Sequence, residues 1–305
     1  MSVVMDGRRP VRFMGRRIFI GIIAVLLAGA AAWGRTPPRI LLVGDSWAQG
    51  VWVERVMEAA FREAGMEGIE CAGEVTALGG TRAEQWVKPE YREKISSELK
   101  KYPSIDSVHL IIGGNDVLKR IRETNVFEAW DEDRRHREWR GIANNVRKIA
   151  AHCLSFPQVR HVVIGGYDYL NAATARDFYL LAGQNFDFGG MTQAQVNQCF
   201  IEVERLKLEA VKGLEGCEYV HNFGLAQHFF DTPGGAPAPG GAPEYVPFPG
   251  GNPEFPMPDK AFIKVETGGL TFAGDGVHPS GETHRRMIRN AIEHCYRKWY
   301  GGGKQ

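Results

Sequence analysis

At 305 residues, with 44% hydrophobic side chains and a formal net charge of +1, the chain can bury one large core or two small ones, and it is neither disordered nor basic enough for a nucleic-acid binder. Its five cysteines (Cys71, Cys153, Cys199, Cys217 and Cys295) show no C-x-x-C spacing, which argues against a zinc ribbon or a redox pair. Most read as small buried apolar residues; in an exported protein one or two disulfides become possible, with Cys199 and Cys217 the nearest pair in sequence, and the odd count leaves at least one thiol free.

The first 35 residues read as an address. Arg8, Arg9, Arg12, Arg16 and Arg17 precede an apolar run over 18–33, and the small residues from Ala28 to Ala32 offer an A-x-A type cleavage site. Arg16-Arg17-Ile18-Phe19-Ile20 also looks like a twin-arginine signal. The run falls short of the ~20 apolar residues of a spanning helix, so a cleaved signal is favoured over a membrane anchor. The folded domain is then 36–305, in the periplasm or outside the cell, with the membrane touched only through an uncleaved N-terminal segment.

The apolar run at 39–43 predicts a first strand, broken by Gly44 so that Ser46 arrives at a sharp turn. Val53, Val56, Met57, Ala60, Phe61 and Ala64 follow helical spacing, with Gly65 as the stop. A short second strand at 69–72 leads to a loop ending in Gly79-Gly80, and Thr81 with Glu84 forms a T-x-x-E capping box for the next helix. Lys88-Pro89 interrupts that helix, which resumes over 91–101. A third strand, 107–113, ends in Gly113-Gly114-Asn115-Asp116. The charged stretch 129–138 reads as a solvated segment before a helix carrying Trp139, Ile142, Val146, Ile149, Ala150 and Cys153.

A fourth strand is expected at 159–165, and Thr192 with Gln195 caps a helix to about Lys212. Between them, 166–191 is too long for an ordinary loop: it is either functional or hides further structure, and its aromatic residues line a sugar cleft or, on the simpler reading, pack the loop down. A fifth strand at 217–220 is followed by a Pro- and Gly-rich insertion over 231–270. Asp275-Gly276-Val277-His278-Pro279 then precedes a final helix whose N-cap is Ser280. Strands alternating with helices predict an α/β domain with a mainly parallel sheet of about five strands.

In such sheets reactive groups gather beyond the carboxyl ends of the strands. Ser46, Gly79-Gly80, Asn115 and the Asp275–His278 pair all fall there. The order Gly44-Asp45-Ser46, a glycine before Thr81, Gly113-Gly114-Asn115-Asp116 and Asp275-x-x-His278-Pro279 resembles the SGNH (GDSL-type) hydrolase family over about residues 39–299. The resemblance implies a three-layer α/β/α, flavodoxin-like fold. It also implies that Ser46 is the nucleophile, His278 the general base and Asp275 its orienting acid. The oxyanion donors would be the Asn115 amide and backbone N–H groups of Ser46 and a second-motif glycine. That glycine is Gly79 or Gly80; Gly79 is preferred because the usual spacing is G-x-T and Thr81 fits it. Two features depart from the family pattern: Cys71-Ala72-Gly73 stands where an N-A-G-like start is usual, and Trp47 replaces the leucine of GDSL, with an expected effect on pocket shape.

Asp45 and Asp116 read as loop organisers, and His221 and His228 as surface or packing residues. No metal or cofactor is implied, since H-E-x-x-H, Walker and G-x-G-x-x-G patterns are absent. The expected function is an exported serine esterase acting through an acyl-enzyme on a small-molecule or carbohydrate ester, acetyl groups included. An O-acyltransferase with the same triad and an inactive envelope-binding module are the alternatives.

Overall fold

The computed structural model describes residues 36–231, 251–258, 265–267, 270–272 and 274–301. The address segment and most of the Pro/Gly-rich insertion therefore lie outside the described residues. Five parallel strands form the main sheet: β1 (Ile40–Gly44), β2 (Cys71–Ala72), β3 (Ser107–Ile111), β4 (His161–Gly165) and β5 (Cys217–Val220), in the spatial order β2-β1-β3-β4-β5. This is the flavodoxin-like order, whose topological switch point lies between β1 and β3.

The helices, in chain order, are α1 (Ser46–Val53), α2 (Val56–Glu63), α3 (Ala83–Trp86), α4 (Pro89–Lys101), α5 (Gly114–Ile121), α6 (Val126–Ala129), α7 (Glu132–Leu154), α8 (Ala172–Leu181), α9 (Gln193–Val211), α10 (Gly281–Ala291) and α11 (Arg297–Tyr300). Period-two alternation sends Ile40, Leu42, Ile111, Val163 and Val220 into one core with α1, α2 and α10. Leu41, Val43, Val108, Leu110, Val162 and Ile164 enter a second core with α3, α4 and the C-terminal half of α7. The fold is three-layered α/β/α, as expected. Strands covered on both faces have to be apolar throughout, which is why β1 reads as an unbroken hydrophobic run.

Local details depart from the sequence reading. The helix expected after Ser46 is two helices, because Arg55 adopts a left-handed conformation at φ 54° and turns the chain between α1 and α2. Its guanidinium there reaches both Glu58 and Glu70. The Thr81/Glu84 capping box does not form. Thr81 instead gives its hydroxyl to the Leu78 and Gly44 carbonyls, and the start of α3 is capped from a distance by Asp116, which accepts from the N–H groups of Ala83 and Glu84 at 2.6 and 3.3 Å. Pro89 begins α4 rather than interrupting a helix, since the first helical position needs no N–H partner. Most of the charged stretch is solvated, yet it forms the first turns of α7 under the Asp131 cap.

The long loop 166–191 contains α8, and its Tyr167, Tyr169, Phe186 and Phe188 are buried, so these aromatics pack the segment down. The Thr192/Gln195 capping box forms as expected. All five cysteines are free; Cys199 belongs to the first core and Cys217 packs against the second, so the sheet separates them. Within the insertion, the described residues 251–258 are pinned by Asn197, Gln227 and Asn171, which donate to the Pro253, Pro256 and Pro258 carbonyls. Val265–Thr267 and Leu270–Phe272 pair as antiparallel strands. No helix among the described residues is long and apolar enough to cross a membrane.

Candidate active site

Ser46 is the first residue of α1, directly beyond the end of β1. The turn depends on Gly44, at φ +149°, where a Cβ would stand 1.9 Å from the Ile111 carbonyl oxygen of the neighbouring strand. Asp45 caps α1, its Oδ1 accepting the Trp47 N–H at 3.1 Å. A serine at this position keeps its hydroxyl at the surface while its backbone N–H belongs to the first helical turn, whose N–H groups have no intrahelical acceptor.

The last turn before α10 brings two groups to that hydroxyl. His278 Nε2 lies 2.7 Å from Ser46 Oγ, and His278 Nδ1 lies 2.6 Å from Asp275 Oδ2. An ionised carboxylate only accepts, so the neutral ring carries its proton on Nδ1 and leaves Nε2 to accept from the serine. Asp275 Oδ1 accepts the N–H groups of Val277 and His278 at 2.9 and 2.8 Å, which makes the acid, the turn and the base one rigid unit. Gly276 is required within it: at φ +75°, a Cβ would meet the Asn171 carbonyl at 2.4 Å.

Burial pushes the Asp275 carboxyl up, but the His278 ring and the two N–H donors outweigh it and hold the group below its ordinary range. Burial likewise disfavours the His278 cation, yet Asp275, with a smaller contribution from Asp45, leaves the ring above its usual 6.5.

The loop after β2 runs against the end of β1: Gly44 N–H donates to the Thr76 carbonyl at 2.9 Å, and Leu78 N–H to the Gly44 carbonyl at 2.9 Å. This docking places Gly79 against the serine, since a Cβ there would lie 3.7 Å from Ser46 Cβ and 2.5 Å from Gln49 Oε1. Gly80, with φ +74°, faces open space. Asn115, in the first turn of α5 beyond β3, donates through Nδ2 to the Thr81 carbonyl at 3.1 Å, which ties it to the same loop. All five sequence-predicted site residues thus converge on the carboxyl end of the sheet.

Three contacts went unread in the sequence. Trp47 is buried, and its indole N–H donates to the Val277 carbonyl at 3.1 Å, so it clamps α1 to the Asp275–His278 turn as well as lining an internal cavity with Val51, Ile111 and His284. Tyr179 of α8 donates its hydroxyl to Asp275 Oδ2 at 3.1 Å. Tyr167, after β4, donates to Asp45 Oδ2 at 2.5 Å. The only sequence signal for the two tyrosines is their place in an overlong loop. Asp45 organises its own turn as expected, whereas Asp116 acts across the fold. Among the described residues no three His, Cys, Asp or Glu side chains cluster where a metal ion would be held.

The arrangement supplies a hydroxyl with its proton acceptor in place, an acid fixing that acceptor, and polar N–H groups from three separate segments. No family model and no curated protein matches the sequence. Among solved structures the chain is similar to LAE5, an alpha/beta hydrolase enzyme from the metagenome of Lake Arreo, Spain, at 13% identity and a TM-score of 0.47, over 85% of this chain and 97% of that one. It is also similar to Est24, a carbohydrate acetylesterase from Sinorhizobium meliloti, at 13% identity and a TM-score of 0.44, over 86% and 99% of the two chains. A carbohydrate esterase family 3 protein from Talaromyces cellulolyticus shows 11% identity and a TM-score of 0.44, over 86% and 97%.

Proposed function

We propose that this protein is an SGNH-type serine ester hydrolase. The observation that carries the reading is the unbroken chain from Ser46 Oγ to His278 Nε2 at 2.7 Å and from His278 Nδ1 to Asp275 Oδ2 at 2.6 Å, at the switch point of a parallel sheet. In the proposed reaction Ser46 Oγ bonds to the ester carbonyl carbon as His278 takes its proton. The backbone N–H groups of Ser46 and Gly79 and the Asn115 amide receive the oxyanion. Collapse breaks the carbon–oxygen bond to the alcohol, which leaves with the proton from His278. Water, deprotonated by the same ring, then releases the acid and restores the serine.

The acyl group we assign to this site is a short one such as acetyl, on carbohydrate or another alcohol. Export belongs to the same proposal and is supported by the arginine-rich, apolar N-terminus.

The test is covalent labelling with a fluorophosphonate probe, read by intact mass, together with hydrolysis of acetyl, butyryl and long-chain esters and of acetylated sugars. The reading expects one label on Ser46, acetyl esters cleaved fastest, and loss of both label and hydrolysis in Ser46→Ala. An unlabelled wild-type protein overturns it, and a sugar ester formed in place of free acetate assigns the protein to acyl transfer instead.

A further inference from the structure

Behind the Ser46 turn lies a buried set of charged and hydroxyl groups that ester cleavage leaves unused. On α9, the Lys207 side chain is 0% exposed and Glu204 1%, with Nζ 2.8 Å from Glu204 Oε1. Tyr219 of β5 donates its hydroxyl to Glu204 Oε2 at 2.5 Å. On its other side, the Lys207 ammonium stands 5.0 Å from the centre of the Tyr167 ring, within cation–π range. The Tyr167 hydroxyl donates to Asp45 Oδ2, and Asp45, 1% exposed, directly precedes the nucleophile. The array thus runs from α9 through the segment after β4 to the first turn of α1. Stability alone does not account for it, because well-packed apolar side chains commonly replace a buried ion pair at no loss.

We propose that Lys207, acting across the Tyr167 ring and hydroxyl, is a remote positioning residue for Ser46: it keeps the Asp45 carboxylate charged, so that Asp45 anchors the first turn of α1 and favours the protonated His278 ring formed as Ser46 attacks. The inference rests on the ester-hydrolase reading of that serine. The groups facing Asp45 are the Trp47 N–H of its own turn, Tyr167, Lys207 with Glu204 behind it, and His278 from the turn before α10; buried His284 of α10 packs edge-on to the Trp47 ring, 5.9 Å between centres. Burial pushes Asp45 up to about 6, against Tyr167, the Trp47 N–H, His278 and Lys207, all of which pull it down. Attack by Ser46 is therefore fastest when both Asp45 and His278 are deprotonated.

The experiment is the pH dependence of kcat/KM for p-nitrophenyl acetate with the purified full chain, compared with Asp45→Asn, Tyr167→Phe and the pair Lys207→Met with Glu204→Gln, which leaves neither charge buried alone. The wild type is expected to lose activity toward acid with a slope that exceeds one below the Asp45 inflection, and Asp45→Asn with a slope of one throughout and about 10- to 100-fold lower kcat, the size of a hydrogen bond to a charged group. Tyr167→Phe and the Lys207/Glu204 pair keep the slope above one but move the lower inflection to higher pH, with KM unchanged. A slope of one throughout in the wild type overturns the proposal, as does a lower inflection left in place by the Lys207/Glu204 pair or by Tyr167→Phe, the latter removing the hydroxyl through which Lys207 is proposed to act. Fluorophosphonate labelling of wild-type Ser46 separates these failures from failure of the ester-hydrolase reading: a labelled enzyme with a slope of one loses only Lys207 and Asp45 their role.

Discussion

In the turn after β1, Asp45 accepts the Trp47 N–H on Oδ1 and the Tyr167 hydroxyl on Oδ2. In the turn before α10, Asp275 accepts the Val277 and His278 N–H groups on Oδ1 and the Tyr179 hydroxyl on Oδ2. Both carboxylates are buried, and both hold a backbone turn beside the same serine. Yet burial lifts Asp45 to about 6, whereas Asp275, buried against a similar set of donors, is held below its usual range. The difference is the ring at 2.6 Å: His278 touches Asp275 directly, while His278 and Lys207 both act on Asp45 without pairing with it, Lys207 across an aromatic ring. Backbone and hydroxyl donors lessen the cost of burying a carboxylate; a basic ring in direct contact, which donates to the carboxylate and can take up a second proton, reverses it.

The sharpest way to break this contrast is Asp275→Asn, which removes the charge from the turn that touches His278. An expected loss of about 10⁴-fold in kcat accompanies the wrong imidazole tautomer. Its pH signature follows from the raised His278: the ring must be neutral to accept the Ser46 proton, so kcat/KM rises with pH through a value above 6.5 in the wild type. In Asp275→Asn that inflection moves down, and an inflection that stays put would show that Asp275 does not set the ring.

Asn115→Ala touches neither turn. It is expected to lower kcat by about 10²–10³-fold, the cost of one oxyanion donor, without moving the His278 inflection. A change in KM alone would remove it from the oxyanion site.

Tyr179→Phe alters the Asp275 side more gently. The carboxylate loses one donor and pulls harder on the ring, so the His278 inflection should rise, with kcat down by about tenfold at the pH of the wild-type inflection. An unmoved inflection would make the tyrosine a packing residue of α8.

The smallest effect is expected from Trp47→Phe, which leaves the Val277 carbonyl without its indole donor. Denaturant unfolding should show a loss of about 1–3 kcal/mol, the penalty for one unsatisfied buried group, and an unchanged midpoint would mean that the clamp is not needed to hold the turn.

What the sequence determined by itself is whatever a few neighbouring residues decide: the apolar run of β1 with its glycine break, the bounds of β5, the Thr192/Gln195 box on α9, the Ser280 cap on α10, and an acid and a base three residues apart in one turn. Periodicity, capping and turn chemistry act over one or two helical turns and leave their mark in the local residue order. The tertiary structure alone decided the contacts whose partners come from distant segments. Asp116 caps a helix 32 and 33 residues away in sequence, and Thr81, relieved of that task, bonds the end of β1. Trp47 reaches across 230 residues to the Val277 carbonyl, Tyr179 across 96 to Asp275, and Lys207 finds Tyr167 only because α9 packs behind the segment after β4. No local propensity encodes such pairings, because a buried polar group takes whichever partner the packed layers bring within reach.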